Sequence, residues 1–156
     1  MDYSQITDDL FIGTTPGLRD FDLLRGLGVR LVINMRFRRG PLPDSTEPRL
    51  SYLWLRTFDN PLAPIPIHVL IRGAHAALDA IRRDEKVYVH CAYGRHRSVA
   101  MAASILIAQG REPAAAMALI KERRAVADPD AFYIRGRILS FARHWSEKSL
   151  TTDERR

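Results

Sequence analysis

The chain has 156 residues, 46% of them hydrophobic, with a formal charge of +6 and a pI near 10.0. That length and apolar content supply one core and no second, and a single cysteine, Cys91, excludes an internal disulfide framework and a multi-thiolate metal site. No apolar run approaches the ~20 residues a bilayer span needs, and the opening Met1-Asp2-Tyr3-Ser4 shows no basic region followed by an apolar core, so a soluble cytoplasmic protein without a transmembrane segment is expected.

In chain order, residues 10–12 read as a short strand, 18–26 as a helix, and 30–34 and 52–55 as two further strands. Residues 67–83 follow as a helix, 86–90 (KVYVH) as a buried strand, and 98–109 (SVAMAASILIAQ) as a buried helix. Gly110 suits the C-terminal cap of that helix, and Glu112-Pro113 suits the start of the next, 113–123; a last helix is expected over 130–145. Alternation of this kind predicts an α/β fold with a central, mostly parallel sheet of four to five strands covered by helices. It forms one domain over residues 1–148, followed by a polar, frayed tail over 149–156.

The basic charge raises the question of nucleic acid, because basic patches bind phosphate backbones. The basic residues are spread along the chain, however, and arginine outnumbers lysine 21 to 3. No aromatic-basic stacking platform accompanies them, and no nucleic-acid partner is expected. The densest cluster outside the loop described next is Arg36, Arg38 and Arg39, just before Gly40-Pro41. It is either a solvated loop or a rim that recruits an anionic substrate, since loops at the carboxyl ends of strands line the site in doubly wound sheets.

The segment His90-Cys91-Ala92-Tyr93-Gly94-Arg95-His96-Arg97-Ser98 joins the strand at 86–90 to the buried helix. Arginine is so frequent here that a Cys-to-Arg spacing alone is weak; the setting strengthens it. A strand-to-helix loop offers unpaired backbone N–H groups and the positive end of a helix dipole, which suit an anion. The same field and the nearby cations lower the thiol of Cys91 from its ordinary pKa of ~8.5, making it a ready nucleophile. Arg97 offers a planar fork for two phosphoryl oxygens, and Gly94 lets the loop curl. Ser98 can donate a hydrogen bond to the sulfur or serve only in the first helical turn; His90 can orient the loop from behind or be plain structure. Ala92, Tyr93, Arg95 and His96 complete the wall of the cradle as substrate-binding candidates.

The string H-C-x-x-G-x-x-R-S, here His90, Cys91, Gly94, Arg97 and Ser98, resembles the catalytic loop of the cysteine-dependent protein tyrosine phosphatase superfamily, most closely the dual-specificity branch. The resemblance extends from residues 6–13 (ITDDLFIG) through 24–35 (LRGLGVRLVINM) to the final helix near Trp145. It implies a phosphatase acting through a cysteinyl-phosphate, and a general-acid aspartate on a mobile loop some thirty residues before the cysteine. Asp59 fits, 32 positions before Cys91 and directly ahead of a proline-rich loop. The chemistry itself also asks for such an acid, because expelling an alkoxide or phenoxide from phosphorus is slow unless the bridging oxygen is protonated. Asp44, Asp128 and Asp130 are rivals in other loops. Two residues depart from the family pattern: His96 and Tyr93 stand where small residues are common, so a narrower or differently gated pocket is expected.

The implied substrates are phosphotyrosine and possibly phosphoserine or phosphothreonine proteins. A basic residue at Arg95 resembles relatives that act on phosphoinositides, so a phosphoinositide or other small phosphate is the alternative. A rhodanese-like sulfurtransferase has a loop typically one residue shorter and needs no upstream acid. A non-catalytic phosphate-binding module would lack the nucleophile or the acid. The phosphatase mechanism needs no metal or organic cofactor, and none of the five histidines shows metal-ligand spacing.

Overall fold

The computed structural model describes residues 1–153, which run β1 (Tyr3–Gln5), β2 (Leu10–Gly13), a 3-10 turn (Leu18–Asp20), α1 (Phe21–Gly26), β3 (Val29–Arg36) and β4 (Ser51–Thr57). There follow α2 (Ile67–Arg82), β5 (Lys86–His90), α3 (Arg97–Ala108), α4 (Pro113–Arg123) and α5 (Phe132–Asp153). The strands form one sheet in the order β1-β2-β5-β3-β4. β2, β5, β3 and β4 are parallel, and β1 pairs antiparallel with β2 at the edge. The α/β, mostly parallel architecture expected from the alternation of elements is therefore present.

Side-chain alternation along the strands builds two cores, because successive residues of a strand face opposite sides. Leu10 and Ile12 of β2, Ile33 and Met35 of β3, and Val87 and Val89 of β5 join the larger core under α2, α3, α4 and α5. Phe11, Val32 and Tyr88 point the other way and pack with Phe21 and Leu24 of α1. β5 lies in the middle with both faces covered, which explains why its residues 87–90 are all buried. α3 is buried from Ser98 to Ile107, as a helix apolar on all sides must be. Gly110, at φ +105°, ends it with hydrogen bonds from Gly110 N–H to Ile107 and from Arg111 N–H to Leu106. The central strand and the most buried helix thus flank one short loop, and its position is rigidly held.

Three elements differ from the sequence reading. β1 was not foreseen: it is only three residues long and lacks a buried apolar row, its place being set by pairing with β2. The segment 18–26 divides into a 3-10 turn and α1. α5 starts at Phe132 and runs to Asp153, so residues 149–153 of the expected frayed tail are helical, while 154–156 lie outside the described residues. No Pro or Gly interrupts 146–153, and the Ser149 and Thr151 hydroxyls donate back to the carbonyls of Trp145 and Lys148, so the helix has no reason to stop at Trp145. No helix among the described residues is long and apolar enough to cross a membrane.

Candidate active site

β5 delivers Cys91 at its carboxyl end, and α3 begins six residues later at Arg97. Cys91 is 3% exposed, and its Sγ lies 3.2 Å from the Ser98 hydroxyl, itself fully buried. Burial favours the neutral thiol. That effect is outweighed by hydrogen bonds from the Ser98 hydroxyl and from the backbone N–H groups of Ser98 and Arg95, and by the Arg97 charge, so the thiol is held below its ordinary value. His90 Nδ1 lies 3.4 Å from the Cys91 carbonyl, not the sulfur. Burial pushes His90 down to about 4, so the ring is a neutral imidazole.

Arg97 is held from above by the ends of two strands. Its Nη1 donates to the Thr57 carbonyl at 2.9 Å and the Met35 carbonyl at 3.2 Å. Its Nε is buried and finds no hydrogen-bond partner among the described residues. A buried guanidinium N–H without an acceptor is costly, and an oxyanion in the adjacent cradle would supply the acceptor. Arg36 closes the neighbouring side: its Nη1 donates to the Thr15 hydroxyl at 2.9 Å, and that hydroxyl donates to the Cys91 carbonyl at 3.0 Å. Burial, then repulsion from Arg39 and Arg97, hold the Arg36 guanidinium below its usual value. Of the rim expected from Arg36 and Arg38, Arg36 is tied through Thr15 to the Cys91 carbonyl without lining the pocket, and Arg38 is exposed.

Asp59 follows β4 and lines a pocket of about 240 Å³ together with Cys91, Ala92, Tyr93, Arg95, His96 and Arg97. Its Oδ1 accepts from the Tyr133 hydroxyl at 2.7 Å, and its Oδ2 is 3.0 Å from His96 Nδ1. Burial opposes ionisation of Asp59, but the hydrogen bonds from Tyr133 and His96 and the charge of Arg97 prevail and hold the carboxyl below its usual range. Tyr133 is correspondingly pushed up to about 12 by burial and by its bond to Asp59. The rival aspartates lie elsewhere: Asp44 pairs with Arg25, and Asp130 with Lys121 and Arg135. Asp128 stands behind His96, 3.5 Å from Nε2 and 3.8 Å from Arg95 Nη2. The pocket is not closed by the two unusual residues, because Tyr93 is 75% exposed and the His96 ring turns to Asp59 and Tyr133.

Sequence reasoning missed Thr15, Tyr133 and Arg124. Arg124 is 2% exposed and braces the loop from beneath, donating to the carbonyls of Gly94 at 2.8 Å and Tyr93 at 3.0 Å. It also donates to the Ser4 hydroxyl and pairs with Asp2, which ties the N-terminal edge strand to the cradle. None of the three carried a local signal, since each acts through a partner distant in sequence. Among the described residues no cluster of three or more His, Cys, Asp or Glu side chains could hold a metal ion.

Gly94 is required where it stands. Its φ is +63°, and a Cβ there would lie 2.7 Å from Arg124 Nη2 and 2.9 Å from the Gly13 carbonyl. Gly94→Ala should therefore cost about 2 kcal/mol of stability, read as a lower urea midpoint at unchanged slope, and loosen phosphate binding.

No family model matches the chain, and no curated protein sequence does. Solved structures do. A mouse putative dual specificity phosphatase complexed with zinc tungstate superposes with a TM-score of 0.83 at 23% identity, over 94% of this chain and 90% of that one. Human DUSP28 superposes at 0.82 and 23%, over 93% and 99% of the two chains. PTPMT1 in complex with PI(5)P superposes at 0.79 and 24%, over 94% and 98%. The fold of this chain is that of the dual-specificity phosphatases, in one domain spanning nearly the whole of each compared structure.

Proposed function

We propose that a chain with this fold and this loop hydrolyses phosphomonoesters through a cysteinyl-phosphate intermediate, with phosphotyrosine and phosphoserine or phosphothreonine proteins as substrates. The observation that carries the reading is the convergence, in one pocket, of a thiol held below its ordinary value, a buried Arg97 N–H lacking an acceptor, and the Asp59 carboxyl. In the first step the Cys91 sulfur attacks phosphorus; the S–P bond forms, the P–O bond to the leaving group breaks, and Asp59 protonates the departing oxygen. The Arg97 fork and the loop amides hold the equatorial oxygens. Water then attacks phosphorus, Asp59 takes its proton, and Cys91 leaves as a thiolate stabilised by Ser98. This sequence draws on no metal or organic cofactor. A cytoplasmic setting and a phosphorylated protein partner, without nucleic acid, belong to the same reading.

A phosphoinositide or other small-molecule phosphate is the second reading. It is favoured by Arg36 beside the cradle, with Arg39 and Arg95 close by, and by the likeness to PTPMT1 in complex with PI(5)P. The sulfurtransferase and binding-module alternatives do not account for the placement of Asp59 in the same pocket as Cys91 and Arg97.

The test is hydrolysis of p-nitrophenyl phosphate and of a poor-leaving-group alkyl phosphate in chelator and reductant. Turnover is expected with both. Asp59→Asn should lose about 10²–10⁴-fold on the alkyl ester and much less on p-nitrophenyl phosphate, whose leaving group needs little protonation. Equal losses on both esters would remove Asp59 from the acid role.

A further inference from the structure

His96, directly before Arg97, bridges two carboxylates from separate segments. Its Nδ1 lies 3.0 Å from Asp59 Oδ2 and 3.1 Å from the Tyr133 hydroxyl, and its Nε2 lies 3.5 Å from Asp128 Oδ2. The Tyr133 ring packs against the imidazole with centroids 5.5 Å apart. The charged and titratable groups around it are Asp59 from the β4–α2 segment, Asp128 from the α4–α5 segment, Tyr133 from α5, and Arg95 and Arg97 from its own loop and helix. No side-chain hydrogen bond caps α3 at His96, because the imidazole is committed to this network instead.

We propose that Asp59 and His96 hold the leaving-group proton jointly, with His96 resupplying the acid and with Asp128 and Tyr133 fixing the imidazole in place. The inference rests on the phosphatase reading above. The pair carries one exchangeable proton between Nδ1 and Oδ2. As the S–P bond forms and the P–O bond breaks, that proton passes through Asp59 to the leaving oxygen, and the imidazole is left neutral with its Nε2–H toward Asp128. In the second step water adds to phosphorus, the S–P bond breaks, and the water proton returns to the Asp59–His96 pair. Phosphate departs, and the enzyme regains the thiolate and the proton with which it began.

The need for a partner follows from the state of Asp59. An aspartic acid at its ordinary pKa of about 3.9 is already almost entirely ionised at neutral pH, so Asp59 by itself would rarely have a proton to give. His96 Nδ1, 3.0 Å from Asp59 Oδ2, is the group placed to hand such a proton to the carboxyl. His96 touches no substrate in this scheme and acts through Asp59 as a positioning and proton-holding residue.

The test measures kcat/KM from pH 5 to 8 for an alkyl phosphate and for p-nitrophenyl phosphate, in wild type, His96→Gln and Asp128→Asn. For the alkyl ester, the ratio of His96→Gln to wild type should fall about tenfold or more across that range, and it should stay much flatter for p-nitrophenyl phosphate. Asp128→Asn, which keeps the imidazole, should shift in the same direction by less, and it carries the test if His96→Gln fails to fold. A pH-independent ratio on the alkyl ester would reduce His96 to geometric support and overturn the proposal while leaving the phosphatase reading intact. Absence of Cys91-dependent turnover of either ester by wild type would overturn both.

Discussion

Cys91→Ser is expected to abolish turnover, by roughly 10⁴-fold or more, while leaving the oxyanion site able to bind. In the proposed mechanism the thiolate is the nucleophile, and its environment lowers the energy of that charge through the Ser98 hydroxyl, two backbone amides and Arg97. A serine hydroxyl loses its proton far less readily and has no base to take it. The His90 ring reaches only the carbonyl of residue 91, and His96 is engaged with Asp59 and Asp128. Removing the negative sulfur from an anion cradle also relieves repulsion, so phosphate should bind the variant at least as well as wild type. Single-turnover hydrolysis of p-nitrophenyl phosphate and calorimetric titration with phosphate measure the two halves. In wild type the lowered thiol should shift the pH dependence of iodoacetate alkylation to lower pH than that of a free cysteine. A serine variant with appreciable activity would mean that the nucleophile lies elsewhere.

Arg97→Lys should lower kcat/KM by about 10²–10³-fold despite the retained charge. The guanidinium does two jobs with separate nitrogens: Nη1 serves the carbonyls of Thr57 and Met35, and Nε remains free beside the cradle. An ammonium has one nitrogen on a flexible stem. It must choose between the strand ends and the phosphoryl oxygens, and it has no fork with which to hold two of them. Unfolding midpoints with and without phosphate separate the causes: loss of the carbonyl bonds lowers both midpoints, whereas loss of the clamp shrinks the difference between them. Activity within about threefold of wild type would show that charge alone suffices and that the planar clamp does not act in the transition state.

Much of the architecture was legible in the sequence because it follows from residues that are neighbours along the chain. KVYVH is continuously apolar enough to be a central parallel strand, and SVAMAASILIAQ is apolar on every side, as only a buried helix is. The loop between them inherits its place and its free amides from those two elements, so Cys91, Arg97 and Ser98 could be read together. Asp59 was reachable through the family resemblance, which implies an acid some thirty residues before the cysteine and after a strand. The edge strand β1 and the last two turns of α5 were not, because three residues of pairing and a polar helical surface leave no hydrophobic period.

The electrostatics of the site were decided by tertiary structure. Tyr133 reaches Asp59 across 74 residues, Thr15 reaches Cys91 across 76, and Arg124 joins the cradle to Asp2 across 122. A lone tyrosine, threonine or arginine in a helix or loop carries no periodic pattern announcing its partner, and the same residue types are ordinary on any surface. The sequence by itself determined that Cys91, Arg97 and Ser98 share one strand-to-helix loop with free amides, since strand, loop and helix are local. Packing alone brought His96 between Asp59 and Asp128 and left one Arg97 N–H without an acceptor among the described residues, because hydrogen bonds between distant residues exist only after the helices have closed over the sheet.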